Sequence, residues 1–149
     1  MVLAAAAERV RPYIARIVLA DALALMDEEK IRDIVVRKGS VENDIAVGRT
    51  PEDAADSLFQ DLEPKLRQWA IDRVTLHPRA CFYEPVKLPS FWSENWKTTV
   101  IYCTEAVNPG RPHQERAAEA LGATWHEIET GHYPMLSTPD RLVELILAD

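Results

Sequence analysis

The 149 residues predict an α/β domain built on parallel strands. Apolar and β-branched runs without strict alternation occur at Ile14–Ala20 and Thr98–Cys103, the pattern of strands covered on both faces. A third short run, ATWHEIET (residues 123–130), follows the second after one helix-length interval. Helix-forming segments punctuated by glycine and proline separate the runs. The resulting order of strand, helices, strand, helix, strand, helix is that of parallel pairing through crossovers.

Each element has a local reason. MVLAAAAERV is alanine-rich and stops at Arg11–Pro12, which predicts a first helix. Ile14–Ala20 follows as a strand with Asp21 at its C-terminal end, where the aspartate is expected to make a structural hydrogen bond to the cap hinge, with contact to the site as the alternative. From Leu23 to about Trp96 the character is mostly helical: DEEKIRDIVVRKG (27–39), then TPEDAADSLFQD (50–61), with Thr50 and Asp53 as a capping box and an acidic, solvated face. EPKLRQWAIDRV (63–74) carries Pro64 in its first turn, and LHPRACFYEPVKLPSFW (76–92) is broken by prolines. The strand at Thr98–Cys103 leads through NPGRP to a helix at His113–Leu121 that Gly122 closes. TPDRLVELILAD is the last, amphipathic helix, with Thr138 as its cap and Pro139 at its first position. Residues 1–22 and 97–149 thus read as a core and residues 23–96 as a helical lid inserted into it. With only three strands expected, the Ile14–Ala20 strand has an open apolar edge.

Composition narrows the function classes. A formal charge of −7, spread along the chain, disfavours nucleic acid and anionic membrane surfaces as partners. The two cysteines, Cys81 and Cys103, form no CxxC pair and are expected to be free and buried, which suits a reducing, cytoplasmic setting. The N-terminus lacks a basic region before its apolar stretch, and the run at Ile17–Met26 is interrupted by Asp21 and too short to span a bilayer.

His132 is the residue that points to chemistry. It follows Gly131 in a turn that leaves the third strand, and in open parallel sheets ligands bind beyond the C-terminal strand ends. An imidazole there is suited to general acid–base work, or else it ties down the loop by hydrogen bonding. His77, His113 and His126 share no metal-ligand spacing, so no metal is expected.

TGHYPMLSTPDRLVELIL resembles the histidine loop and last helix of the α/β-hydrolase superfamily. TTVIYCTEAVNP is similar to the penultimate strand and acid loop. LFQDLEPKLRQWAIDRVTLHPRACFYEPVKL resembles the helical cap of small salicylate-ester and methylesterase-type carboxylesterases, a group that also contains hydroxynitrile lyases. MVLAAAAERVRPYIARIVLADAL is similar to the helix and strand after the nucleophile turn, so the resemblance covers essentially the whole chain. It implies a partial α/β-hydrolase fold, a Ser-His-acid mechanism on carboxylic esters, His132 as the base and no cofactor. Glu105, after the second strand, is the candidate acid, with Asn108 as a neutral alternative. Trp69, Phe82, Phe91 and Trp92 are candidates for an apolar substrate pocket or for packing of the cap.

The family's G-x-S-x-G elbow is absent from these residues, and by resemblance it would lie directly before Met1. The expected partner is a small ester or aromatic acid, with a homodimer or a complementing N-terminal half completing the sheet. Alternatives are a non-catalytic remnant that binds small ligands or dimerises, and a hydroxynitrile lyase-like enzyme, for which Lys87 is the lysine near the cap's end.

Overall fold

The computed structural model describes residues 2–36 and 39–148. Met1, Arg37, Lys38 and Asp149, which fall in the expected first helix, the expected helix over 27–39 and the expected last helix, lie outside the described residues. In chain order the elements are α1 (Val2–Val10), β1 (Ile17–Ala20), β2 (Ser40–Glu42), β3 (Ala46–Arg49), α2 (Pro51–Ser57), α3 (Pro64–Ile71), β4 (His77–Pro78) and α4 (Arg79–Tyr83). They continue with β5 (Thr98–Cys103), α5 (Arg111–Leu121), β6 (Thr124–Ile128), α6 (Pro134–Ser137) and α7 (Pro139–Leu147). Short 3₁₀ turns occur at Arg11–Tyr13, Ile31–Asp33 and Phe91–Ser93.

The α/β expectation holds. β1, β5 and β6 form a parallel sheet in the order β1-β5-β6, with Ile17 opposite Thr98 and Thr99 opposite Thr124. Every residue of β5 is buried, as a central parallel strand requires. One face of the sheet packs Ile17, Leu19 and Val100 against Ala4 and Ala7 of α1 and Ala117 and Leu121 of α5. The other packs Ile101, Cys103 and Ile128 against Leu142 and Leu145 of α7. The helices therefore lie on both faces, and α5 ends where Gly122 takes a left-handed conformation with φ 55°.

The segment between β1 and β5 departs from an all-helical reading. It contains a small antiparallel sheet, β2-β3-β4, and among the described residues of the expected helix over Asp27–Gly39 the helical part is the turn Ile31–Asp33. Ile34, Val35 and Val36 are β-branched and weak helix formers. The side chain of Asn108 then claims the backbone: its amide oxygen accepts from the Val36 N–H at 2.9 Å and its amide nitrogen donates to the Val36 carbonyl at 2.9 Å. Asn108 thus serves as a substitute ladder partner, not as a partner of His132.

Other local expectations meet mixed outcomes. Thr50 Oγ1 accepts from the Asp53 N–H at 3.1 Å, capping α2. Thr138 stands at the N-terminal boundary of α7 but makes no side-chain cap bond, and its hydroxyl is buried without a partner. A ψ of 56° at Thr138, outside the usual extended cap region, accounts for this. Asp53, in the stretch expected to be solvated, is buried against Arg49. Cys81 is exposed, whereas Cys103 is buried as expected.

The start of the segment is pinned to α5. His113 Nε2 accepts from the Ala24 N–H at 3.1 Å, and Arg116 holds both carboxylate oxygens of Glu29 at 2.5 and 2.8 Å. Burial, and next the nearby Arg116 charge, push the His113 pKa below its ordinary value of 6.5. Protons therefore favour the unfolded chain: the stability from neutral His113 is complete above pH 6.5 and drains away as pH falls from there through the lowered folded value. The urea midpoint of the wild type, measured relative to His113→Gln, is expected to fall between pH 7 and pH 5.

Candidate active site

Asp21 is the first residue after β1, at its C-terminal end. Its N–H donates to the Ile101 carbonyl at 2.8 Å, which holds the ladder one residue past the strand. Its φ is 42°, a left-handed backbone that aspartate tolerates better than most residues but that still carries strain. This turn aims the carboxylate across the end of β5.

His132 sits in the loop between β6 and α6, beyond the same end of the sheet. Its Nδ1 lies 2.6 Å from Asp21 Oδ2. With Nδ1–H donating to the carboxylate, Nε2 is the nitrogen left for proton exchange. The histidine side chain is 25% exposed and the aspartate side chain 0%. The pair therefore has a buried anionic end and an accessible basic end.

Burial raises the Asp21 pKa above the ordinary 3.8, against the opposing hydrogen bond and charge of His132, a backbone hydrogen bond from Cys103 and the side chain of Gln114. Gln114 Nε2 donates to Asp21 Oδ1 at 3.2 Å, so α5 supports the second oxygen. The Cys103 thiol is pushed up to about 12 by its own burial and by the charges of Asp21 and Asp61. It is an inert thiol, not a nucleophile.

His132 borders a cavity of about 280 Å³. Leu23, Ile31, Val35, Val47, Leu58, Phe82 and Tyr133 supply an apolar wall. Arg49 also reaches it, but its guanidinium is tied to the Asp53 carboxylate and lies 3.1 Å from the Ser57 hydroxyl, both buried. The charge of Arg49 is thus answered within the protein. A neighbouring hollow shares Arg49, Leu58, His77 and Tyr133 with the first.

The structure brings only some of the anticipated residues together. His132 and Phe82 face the main cavity, and Trp69 lines the neighbouring hollow at 47% exposure. Phe91 and Trp92 lie elsewhere, in the core beside α1, with Phe91 stacked on Trp96 and the Trp92 indole N–H donating to the Leu25 carbonyl. Glu105 is exposed; its backbone N–H donates to the Thr130 carbonyl and its carbonyl accepts from the Gln60 side chain. Asp21, not Glu105, meets the imidazole. The signal available in the sequence was a carboxylate directly after a buried parallel strand, at the end where ligands bind.

A three-stranded parallel sheet covered by helices on both faces matches part of the α/β-hydrolase fold. Among solved structures it is similar to an extracellular α/β-hydrolase from a Paenibacillus species, described as sharing structural and functional homology with tobacco salicylic acid binding protein 2. The TM-score is 0.80 at 18% identity, over 99% of this chain and 66% of that one. It is also similar to polyneuridine aldehyde esterase, with a TM-score of 0.72 at 17% identity over 99% of this chain and 67% of that one. Tomato methylketone synthase I in complex with 2-tridecanone gives 0.73 at 16% identity, over 98% of this chain and 65% of that one. The chain spans about two thirds of the length of these solved chains. No family model and no curated protein matches the sequence. Among the described residues, no helix is long and apolar enough to cross a membrane.

Proposed function

We propose that this chain carries the histidine–acid part of a serine esterase acting on small, neutral carboxylic esters, with the nucleophile supplied by residues outside these 149. The observation that carries the reading is the 2.6 Å contact between His132 Nδ1 and buried Asp21 at the mouth of an apolar cavity. In this reaction a serine hydroxyl attacks the ester carbonyl while His132 Nε2 takes its proton. The same nitrogen returns the proton to the departing alcohol, then takes a proton from the water that attacks the acyl-serine and returns it to the serine oxygen as the carboxylic acid leaves. Asp21 keeps Nδ1 protonated and stabilises the imidazolium that forms between those steps. Residues 23–96 act as the cap that shapes the pocket.

The names of the neighbours support the class, since one is an esterase and another was solved with a long apolar ketone. The lyase alternative lacks support from Lys87, which is exposed and does not border the cavity. A cytoplasmic setting rests on the two free cysteines.

The test compares hydrolysis of a p-nitrophenyl ester by the purified chain and by a form extended upstream to include a G-x-S-x-G elbow. The chain alone is expected to show no serine-dependent turnover and the extended form to be active. Robust turnover by the chain alone, abolished in His132→Ala, would refute an external nucleophile. An extended form inert towards every short ester would refute the esterase reading.

A further inference from the structure

We propose that Asp61 is a positioning residue: a strut reaching from the segment between β1 and β5 that holds the histidine turn in the orientation at which His132 meets Asp21. The proposal rests on the His132–Asp21 pair being the working unit. Asp61 does not serve as a partner of the imidazole itself. It grips the two residues that precede it.

Asp61 Oδ2 accepts from the Gly131 N–H at 2.7 Å and from the Thr130 hydroxyl at 2.9 Å. Both bonds end on a charged acceptor, which makes them stronger than neutral ones. Thr130 is 2% exposed, so this grip lies inside the protein. The fit at Gly131 is tight: a Cβ built there would stand 2.4 Å from Asp61 Oδ1, and only glycine admits the carboxylate. Glycine before the histidine is thus required by close approach of Asp61, beyond any need for a flexible turn.

The strut is anchored on both sides. Phe59 and Leu62, which flank Asp61 by one or two residues, are buried and form a cluster with Tyr133 and Leu136 just past the histidine. The Phe59 and Tyr133 ring centroids are 5.0 Å apart. Gln60 Nε2 reaches the Glu105 carbonyl at 2.8 Å, so the same short loop also touches the turn after β5. The position has a cost, because Asp61 Oδ1 is buried without a hydrogen-bond partner. A carboxylate kept there at the expense of an unsatisfied oxygen is explained by what its other oxygen holds.

The experiment uses the chain as it is, labelled with ¹⁵N-histidine. Its readout is the downfield imidazole proton of His132 hydrogen-bonded to Asp21, assigned by its loss in His132→Gln. In Asp61→Ala that proton is expected to vanish or to exchange with water about tenfold faster or more, because two charge-assisted bonds holding the turn are gone. Asp61→Asn, which keeps an acceptor oxygen, is expected to retain it. If Asp61→Ala does not fold, Gly131→Ala replaces it, since the added methyl displaces the carboxylate from the turn. An unchanged resonance and exchange rate in the folded variant would overturn the strut while leaving the pair intact. Absence of the resonance in the wild type would remove the pair, and the strut with it.

Discussion

Asp21→Asn is expected to cut ester turnover by about 10⁴-fold in a form that carries the nucleophile, the scale set when a triad acid becomes its amide. The surroundings of Asp21 decide why. Gln114 donates to Oδ1, so an asparagine turns its carbonyl oxygen towards Gln114 and its NH₂ towards His132. The imidazole must then accept at Nδ1 and carry its proton on Nε2. That tautomer cannot take a proton from serine. Glu105→Gln, at an exposed position with no contact to the imidazole, is expected to leave turnover unchanged.

Stability should move the other way. Burial is the main cause of the raised Asp21 pKa, so ionised Asp21 costs stability at neutral pH. The wild type is most favoured when the carboxyl is protonated, and it loses that advantage as pH rises through the raised folded value. Asp21→Asn avoids the cost: urea unfolding should show it more stable than wild type at pH 7. The gain should fade as pH falls towards 3.8. A variant that lost turnover and stability together would assign Asp21 a mainly structural role.

His132→Ala is expected to lower turnover of the same extended form by about 10⁶-fold, the scale for removing a triad base. Adding Asp21→Asn to it should cost nothing more, since the aspartate acts only through the ring. Here the stability change is negative, because Asp21 stays buried and loses the donor that offsets its desolvation. Rate measurements on the single and double variants, beside their urea midpoints, test both signs. Additive losses in the double variant would mean that the two residues act separately.

Much of the core was legible because its signals are local. The six residues of β5 form an unbroken apolar and β-branched run, Gly122 marks the end of α5, and Gly131–His132 stands in a turn after a strand. The small sheet was hidden because all three residues of β2 are exposed and alternate towards no core. The carboxylate that meets His132 was harder still. Asp21 and His132 are 111 positions apart, and their meeting depends on β1 and β6 both flanking β5. The position after the second strand favoured Glu105; the left-handed backbone at Asp21 and the sheet order bring Asp21 to the imidazole instead. Phe91 and Trp92 line a separate hollow beside α1 and not the cavity at His132, because aromatic composition does not reveal which side of a sheet a loop returns to.

Asp21 also stands at the last position of the chain before it leaves the sheet, and Asp61 lies within the excursion that follows. On the proposed esterase reading, a foreign segment grafted between β1 and β5 would have to begin after residue 21 to keep the carboxylate that meets His132. The donor loop would also have to bring a carboxylate to Gly131, or the graft would carry a pocket while leaving the histidine unsupported.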